Sequence, residues 1–389
     1  MIRPLDGYVV SQEAADRVVA PVAEDLHPVE RDRILATNPD TSLFLLTEDA
    51  EARSHGREYL ERVTSNGTFE PTSGWWVYRI TEGDHRQTGI VVEVSVAAYE
   101  SDRIRRHEHT VGEIAEHVAD ALEEVGGSTH PVSLIYRHDP AVDEVVGAAV
   151  AATPSLRLER EGRIQEAWKL EAGAGLGRAL DAIPALYIAD GHHRSAGAAV
   201  LLHRDEPGSE DARSHFLAVL FPDTEMKTLS YHRCLHLPDH TPADVLAAIA
   251  RHFPLKRLAD PAGTPEPGEV WLHSEDTWYS LRLPHGTDEG PTSALDAARL
   301  QHQILGPLCD VADPRADPRL NYVPGSVPVH VLAAECRQQA GLSFVTHPPS
   351  VDDVMAVSDA GGIMPPKSTW FTPKIGAGIF LRRVDGRSG

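Results

Sequence analysis

The chain has 389 residues, and 58 Asp plus Glu stand against 36 Lys plus Arg, a formal net charge of −22. It is long enough for two or three domains, and 41% apolar with 24% charged residues is a globular composition that excludes wholesale disorder. So acidic a balance argues against general nucleic-acid or anionic-membrane binding, since both need a positive face.

In chain order, residues 11–20 and 28–36 read as short helices, the second opened by Pro28. Asn38-Pro39-Asp40 is a turn, Ser42 to Leu46 reads as a strand, and Glu48 to Val63 as a helix. Two β-rich runs, Trp75 to Ile80 and Gly89 to Val96, flank the hairpin signal Glu82-Gly83-Asp84-His85. Thr110 to Val125 is amphipathic, with Ile114, Val118, Ala121, Leu122 and Val125 on one face. Gly126-Gly127 ends it. Val132 to Tyr136 reads as a strand and Ala141 to Ala152 as a helix. Ala185 to Ala189 is an apolar strand followed by a helix over Ser195 to Leu202, and His215 to Phe221 is a further strand. Asp260 to Gly268 is a linker or exposed loop. Beyond it come a strand pair (Val270 to Leu272, Trp278 to Leu283), a helix near Leu295 to Leu305, an irregular charged stretch over 310–326 and a strand at Val327 to Leu332. The spacing is too irregular for repeated βαβ units, and an α+β fold is expected.

Cys234, Cys309 and Cys336 are widely spaced with no CxxC, which indicates neither a disulfide framework nor a zinc ribbon. The first residues lack the apolar core of a signal peptide, and no apolar run approaches the roughly 20 residues that span a bilayer. A reduced, cytoplasmic protein is expected.

The strongest chemical signal is Leu186-Tyr187-Ile188-Ala189-Asp190-Gly191-His192-His193-Arg194-Ser195. An apolar strand runs into Asp-Gly and a helix starts at once. Gly191 permits the tight turn, and the first helical turn presents N–H groups and a positive dipole end to an anion. His192, His193 and Arg194 add donors, and arginine grips phosphate with two parallel bonds. Asp190 is a candidate Mg²⁺ ligand. The plain alternative is a strand–helix turn capped by Asp190 with its His-Arg run solvated.

A second signal, Arg105-Arg106-His107-Glu108-His109-Thr110, precedes the amphipathic helix. Thr110 is placed to cap it. Glu108 is a candidate general base with basic neighbours for anions, or His107 and His109 ligate a metal, or the run is a polar loop. A third signal is the stiff loop Met364-Pro365-Pro366-Lys367-Ser368-Thr369-Trp370-Phe371-Thr372-Pro373-Lys374. It holds two of the chain's five lysines. A fourth, Asp313-Pro314-Arg315-Ala316-Asp317-Pro318-Arg319, reads as a site segment or as surface ion pairs.

Together these segments resemble a bacterial family known as the domain of unknown function "ten-fifteen", over a range from Asn38-Pro39 to Ile379. That family is related to the free-serine kinases, which share the fold of the chromosome-partitioning protein ParB and of sulfiredoxin. The resemblance implies a ParB/sulfiredoxin-like core over 96–232 with an insertion around 141–184. An N-terminal α+β segment (1–95) and a C-terminal α+β domain (233–389) would flank it. It implies a small-molecule kinase that takes a phosphoryl group from ATP or ADP, with Mg²⁺, to the hydroxyl of serine or a related hydroxy amino acid. Asp190, Gly191, His192, His193, Arg194 and Ser195 match the turn that holds nucleotide phosphates, with His193 and Arg194 stabilising the transferring group. Glu108 matches the glutamate that acts on the acceptor hydroxyl. His107, His109, Thr110, Arg315, Lys367, Ser368 and Thr369 are the expected acceptor contacts.

The chain departs from the family pattern at Ala20-Pro21-Val22-Ala23-Glu24-Asp25, where the family reads Ala-Pro-Pro-Tyr-Asp-Val. It departs again at Val111-Gly112-Glu113-Ile114, where the family has a charged run. Two alternatives stand beside the kinase: a ParB-like nucleotide-binding switch without transfer, and a metal-dependent hydrolase using His107, His109 and the 192–193 pair. A homodimer stays open.

Overall fold

The computed structural model describes residues 1–22, 26–46, 50–171, 174–204, 212–284 and 290–385. Ala23-Glu24-Asp25 of the family departure and Glu48-Asp49 of the expected helix lie outside them. The chain opens with β1 (Ile2–Val10), α1 (Ala15–Val18) and α2 (Pro28–Thr37). α3 (Ala50–Ser65) leads to β2 (Phe69–Gly74), β3 (Trp76–Glu82) and β4 (His85–Ser95). α4 (Val96–Glu100), β5 (Ile104–Arg105), α5 (Gly112–Val125), β6 (Gly127–Ser128) and β7 (Val132–Tyr136) follow. Next come α6 (Pro140–Val150), β8 (Leu156–Arg160), β9 (Arg163–Lys169) and α7 (Ala174–Ala182). β10 (Leu186–Asp190), α8 (His192–Leu202) and β11 (His215–Pro222) complete this part.

The later half holds β12 (Lys227–Leu229), β13 (His232–His236), α9 (Pro242–Ala250) and β14 (Lys256–Leu258). β15 (Glu269–Ser274), β16 (Thr277–Arg282), α10 (Asp296–Leu300), α11 (Gly306–Cys309) and β17 (Leu320–Val323) come next. α12 (Val329–Gln338), β18 (Gly341–Thr346), α13 (Val351–Asp359), β19 (Trp370–Thr372) and β20 (Phe380–Arg383) end the chain. The architecture is mixed α+β in two units: Met1–Arg106 with Thr110–Met226 and Pro373–Gly389, and His107–His109 with Lys227–Thr372.

The first unit is built on a large mixed sheet with the path β5-β10-β7-β11-β4-β1-β20-β6. β10 runs parallel to β5 and antiparallel to β7, and β11 runs parallel to β7. β11 is nearly all apolar and buried on both faces, as a central strand must be. Side chains alternate across the sheet. Ile90, Val92, Val94, Leu134, Ile188 and Leu220 fill one face, and Tyr78, Val91, Val219, Phe221 and Phe380 the other. The expected hairpin forms, with Glu82 paired to His85. Residues 1–95 supply β1 to β4 to the same sheet that carries β7, β10 and β11.

Glu93 is fully buried in β4, and a buried charge must be paired. Arg3 (2.6 Å), Arg382 (2.8 Å) and the Asp6 N–H (2.9 Å) surround it and tie β1, β4 and β20 together. Burial pushes its carboxyl up, but the Arg382 charge and hydrogen bonds outweigh that and leave it below the ordinary range.

The second unit is an antiparallel sheet of order β14-β16-β15-β18-β13-β17 and a two-stranded ribbon, β12 with β19. α12 packs on this sheet, and Cys336 on it is bonded to Cys234 on β13. This corrects the expectation of a chain without disulfides. The pair is 102 residues apart in sequence with Cα atoms 5.6 Å apart, an approach that only tertiary packing sets. Cys309 is free and buried.

Two further expectations change. Ser42–Leu45 is a 3-10 turn rather than a strand, started by Thr41, whose hydroxyl accepts the Leu43 N–H at 3.4 Å. The apolar run after Val327 starts a helix rather than a strand, because Pro328 precedes it with a helix-compatible φ of −58° and accepts the Val331 N–H. A short apolar run carries no period long enough to tell the two apart. The helix expected over Leu295 to Leu305 is α10 followed by a π turn, Gln301–Leu305.

Candidate functional site

β10 delivers the first site. It ends at Asp190, and Gly191 takes φ +100°, which turns the chain straight into α8. A Cβ on Gly191 would be strained at this φ and would lie 2.9 Å from Arg194 Nε, so a side chain there would have to push the guanidinium aside. No side chain caps α8. Asp190 therefore does not cap the helix. Its Oδ2 accepts from Arg194 Nη2 and its Oδ1 from Lys374 Nζ. Arg194 Nη1 also donates to the Pro131 carbonyl at 2.7 Å. Burial raises the Asp190 carboxyl, yet the Lys374 and Arg194 charges outweigh it and hold the group far below the ordinary carboxylate range. His130 is driven well down by burial first, then by the Arg194 charge.

The remaining turn residues divide by what their side chains already do. His193 Nε2 accepts the Val111 N–H at 3.2 Å, so its imidazole carries the proton on Nδ1 and serves the N-terminus of α5. Val111, not Thr110, is the N-cap of α5, and no side chain of its own caps the helix. Ser195 is fully buried and its hydroxyl donates to the Gly191 carbonyl at 3.2 Å. His192 is buried. Lys374 and His130 were not among the expected site residues. Lys374 carried one signal, its place among five lysines, and His130 none beyond preceding a strand.

The second unit gathers another part of the expected set. His107 is buried, with Nε2 3.3 Å from Thr369 Oγ1 and its ring 6.4 Å from Phe371. Its carbonyl accepts the Met364 N–H at 2.8 Å. The His-Glu-His run and the Met364 to Thr372 loop thus meet. Lys367 sits at φ +52°, with its ammonium 5.3 Å from the Tyr231 ring centroid. Ser368 is buried and donates to the Pro365 carbonyl at 2.7 Å. Met364 and Ser368 line a cavity of about 590 Å³ with Asp296, Arg299, His347 and Asp353. Glu108 is half-buried and His109 exposed. Arg315 is exposed and engaged with Asp313 of its own turn at 3.2 Å, as Arg319 is with Asp317 at 2.7 Å. That is the arrangement of surface ion pairs.

Among the described residues no group of three or more His, Cys, Asp and Glu could hold a metal ion. Asp190, the expected Mg²⁺ ligand, has a cation on each oxygen. Among the same residues no helix is long and apolar enough to cross a membrane.

A model of the family described as "Protein of unknown function (DUF1015)" matches residues 2–298. The chain belongs to this family. A search of curated proteins gave no match. Among solved structures, this DUF1015 protein is similar to a free serine kinase in complex with AMP, at 14% identity and a TM-score of 0.40, covering 76% of this chain and 91% of that one. It is similar to SbnI with a C-terminal truncation from Staphylococcus aureus, at 15% identity and 0.39, covering 76% and 84%. A conserved hypothetical protein from Pyrococcus furiosus gives 15% and 0.39, covering 75% and 95%. Likenesses this distant carry no inference about activity, which rests on the residues themselves.

Proposed function

We propose that this DUF1015 protein is a small-molecule kinase that moves a phosphoryl group from ATP or ADP to the hydroxyl of serine or a related hydroxy amino acid. One observation carries the reading: a half-buried carboxylate, Asp190, fixes Lys374 and Arg194 at the glycine turn where α8 begins. Two cations on one carboxylate leave a net positive charge there, which joins the positive end of the α8 dipole. A site-sized excess of positive charge in a chain of −22 suits an anion such as a nucleotide phosphate.

In this reading the Gly191 turn and the first turn of α8, His192 to Ser195, receive the donor's phosphates. Gly191 allows the backbone to come close, and Arg194 and Lys374 neutralise charge on the transferring group. Phosphoryl transfer asks a protein mainly for positioning and electrostatic stabilisation. His193, bonded to the α5 N-terminus, would orient as well as stabilise. Glu108, three residues before Val111, would accept or orient the acceptor's proton, a role carried over from the family resemblance. His107, His109, Thr110, Lys367, Ser368 and Thr369 are proposed around the acceptor, with Arg315 the outlying member. For Ser195 and Ser368 the hydroxyls are already spent on carbonyls, so their part would be to fix loop shape. Mg²⁺ would accompany the donor. Asp190 would ligate it only by releasing Lys374 or Arg194, so a positioning role suits that carboxylate better. The core over 96–232 is proposed as ParB/sulfiredoxin-like, in a cytoplasmic protein.

The test is phosphoserine formation from serine with ATP or ADP. Wild type is expected to form it, and Glu108→Gln and His193→Ala to lose at least tenfold in rate. Transfer at wild-type rate by both variants would overturn the roles. Nucleotide binding with no transfer to any hydroxy amino acid would favour the switch, which needs the same turn without Glu108.

A further inference from the structure

The first unit contains a cavity of about 850 Å³ that the reading above does not use except at one residue, Arg194. That volume suits a ligand of drug or nucleoside size. Its wall along α5 is made by Ile114, Val118, Ala121 and Leu122, four of the five residues that the sequence marks as the apolar face of this helix. An apolar helical stripe ordinarily faces a packed core. Here α5 instead sets its small residues, Ala115 and Ala119, into the buried contact, and leaves Ile114 43% exposed. Gly197 of α8 makes that contact close, because a Cβ there would lie 2.5 Å from Val118 Cγ1. The larger apolar side chains of α5 are thereby left on the cavity wall over a length of about 12 Å, at 1.5 Å of rise per residue.

The polar part of the wall is of one sign. Arg31, Arg194, Arg213 and Arg382 line the cavity, with His117, His130 and His215, and among the described residues no Asp or Glu does. Arg194, Arg213 and Arg382 have carboxylate partners, Asp190, Glu123 at 3.4 Å and Glu93 at 2.8 Å, but none of these carboxylates is on the wall. Arg382 is 3% exposed, and its Nη1 has no hydrogen-bond partner among the described residues. Burial and the Arg3 and Arg382 charges push His215 down to about 4, so the imidazole is neutral at pH 7 and the arginines supply the positive field. In a chain with 58 carboxylates, a cavity wall without one is a selective feature.

We infer that this cavity binds an organic anion whose apolar or aromatic body lies along Ile114, Val118 and Leu122 and whose phosphate or carboxylate meets the arginines. The inference does not need phosphoryl transfer. Two sources share the chemistry: the base and sugar of a nucleotide whose phosphates sit at the Gly191 turn, or a separate apolar organic acid.

The experiment is calorimetric titration of the full chain with 2-naphthyl phosphate. Two control probes are 2-naphthylmethylammonium, of the same body and opposite charge, and inorganic phosphate, the anion without a body. Naphthyl phosphate is expected to bind at least tenfold more tightly than either control. Ile114→Glu, which puts a carboxylate on the wall at an exposed position, is expected to weaken it at least tenfold, and Ile114→Ser by less. Equal or tighter binding of the ammonium probe, no binding of naphthyl phosphate, or unchanged affinity in Ile114→Glu would overturn the inference. Displacement of naphthyl phosphate by ADP assigns the cavity to the nucleotide, and simultaneous binding assigns it to a second ligand. Both outcomes support an anion site, and serine phosphorylation is scored separately, so the two readings fail independently.

Discussion

Asp190 shows how a few groups set the chemistry of a turn. Its two oxygens hold Lys374 and Arg194, residues 184 positions and 4 positions away in sequence. Lys374→Met is expected to leave a partly buried carboxylate with one cation. The cost is about 2 kcal/mol of stability, below the full 3–5 kcal/mol of a broken buried pair because Asp190 is 23% exposed. Urea unfolding at pH 7 measures it. The folded pKa of Asp190 lies below its unfolded value, so its stabilisation is complete above about pH 4 and is lost as pH falls further. In Lys374→Met the dependence on pH below 4 is expected to be shallower. Asp190, Gly191 and Arg194 were legible in the sequence because strand, turn and helix are contiguous. Lys374 was not placed at this turn, because only the fold brings it there. His107 and Thr369 meet for the same reason, 262 residues apart.

Helix α8 depends on its glycines at both scales of contact. Gly191 at φ +100° carries the turn, and Gly197 carries the approach to α5. Gly197→Val is expected to cost about 1–3 kcal/mol by overpacking against Val118, read as a lower urea midpoint with an unchanged slope. Gly191→Ala is expected to cost about 1 kcal/mol from the left-handed backbone and to displace the Arg194 guanidinium. Elements with a clear period or a turn signal were legible: the 82–85 hairpin, α5 and the apolar strands β7, β10 and β11. The stretches at Ser42 and Val327 fold differently from the strand expectation, since runs of five or six residues fit either period and a neighbouring Thr or Pro decides the outcome. The apolar stripe of α5 was read correctly as a face, but its burden, a cavity wall instead of a core, depends on how small the α8 residues opposite it are.

At the scale of the molecule, two features were invisible in composition. The Cys234–Cys336 bond closes a loop of 102 residues. The unfolded, unreduced protein is expected to titrate one thiol, Cys309, and the reduced protein three. Cys336→Ala is expected to lose about 4.7 kcal/mol by the loop-entropy relation. The second feature is a set of neutral histidines. His215 and His232 are each pushed from 6.5 to about 4, chiefly by burial, and His130 moves the same way. The unfolded chain binds more protons than the folded one across this window, so stability is full above about pH 6.5 and falls as pH drops toward 4. Urea unfolding at pH 7.5 and pH 5 is expected to show the higher free energy at pH 7.5. The net charge of −22, which alone spoke only against polyanionic partners, gains a local exception at the Gly191 turn. The most direct test of that exception is calorimetric titration of ADP with Mg²⁺ into wild type, Gly191→Ala and Arg194→Ala, each checked for folding by circular dichroism. One ADP is expected to bind per chain, with at least a tenfold loss in each variant, about 1.4 kcal/mol. No heat with wild type, or equal affinity in all three proteins, would contradict a phosphate site at the start of α8.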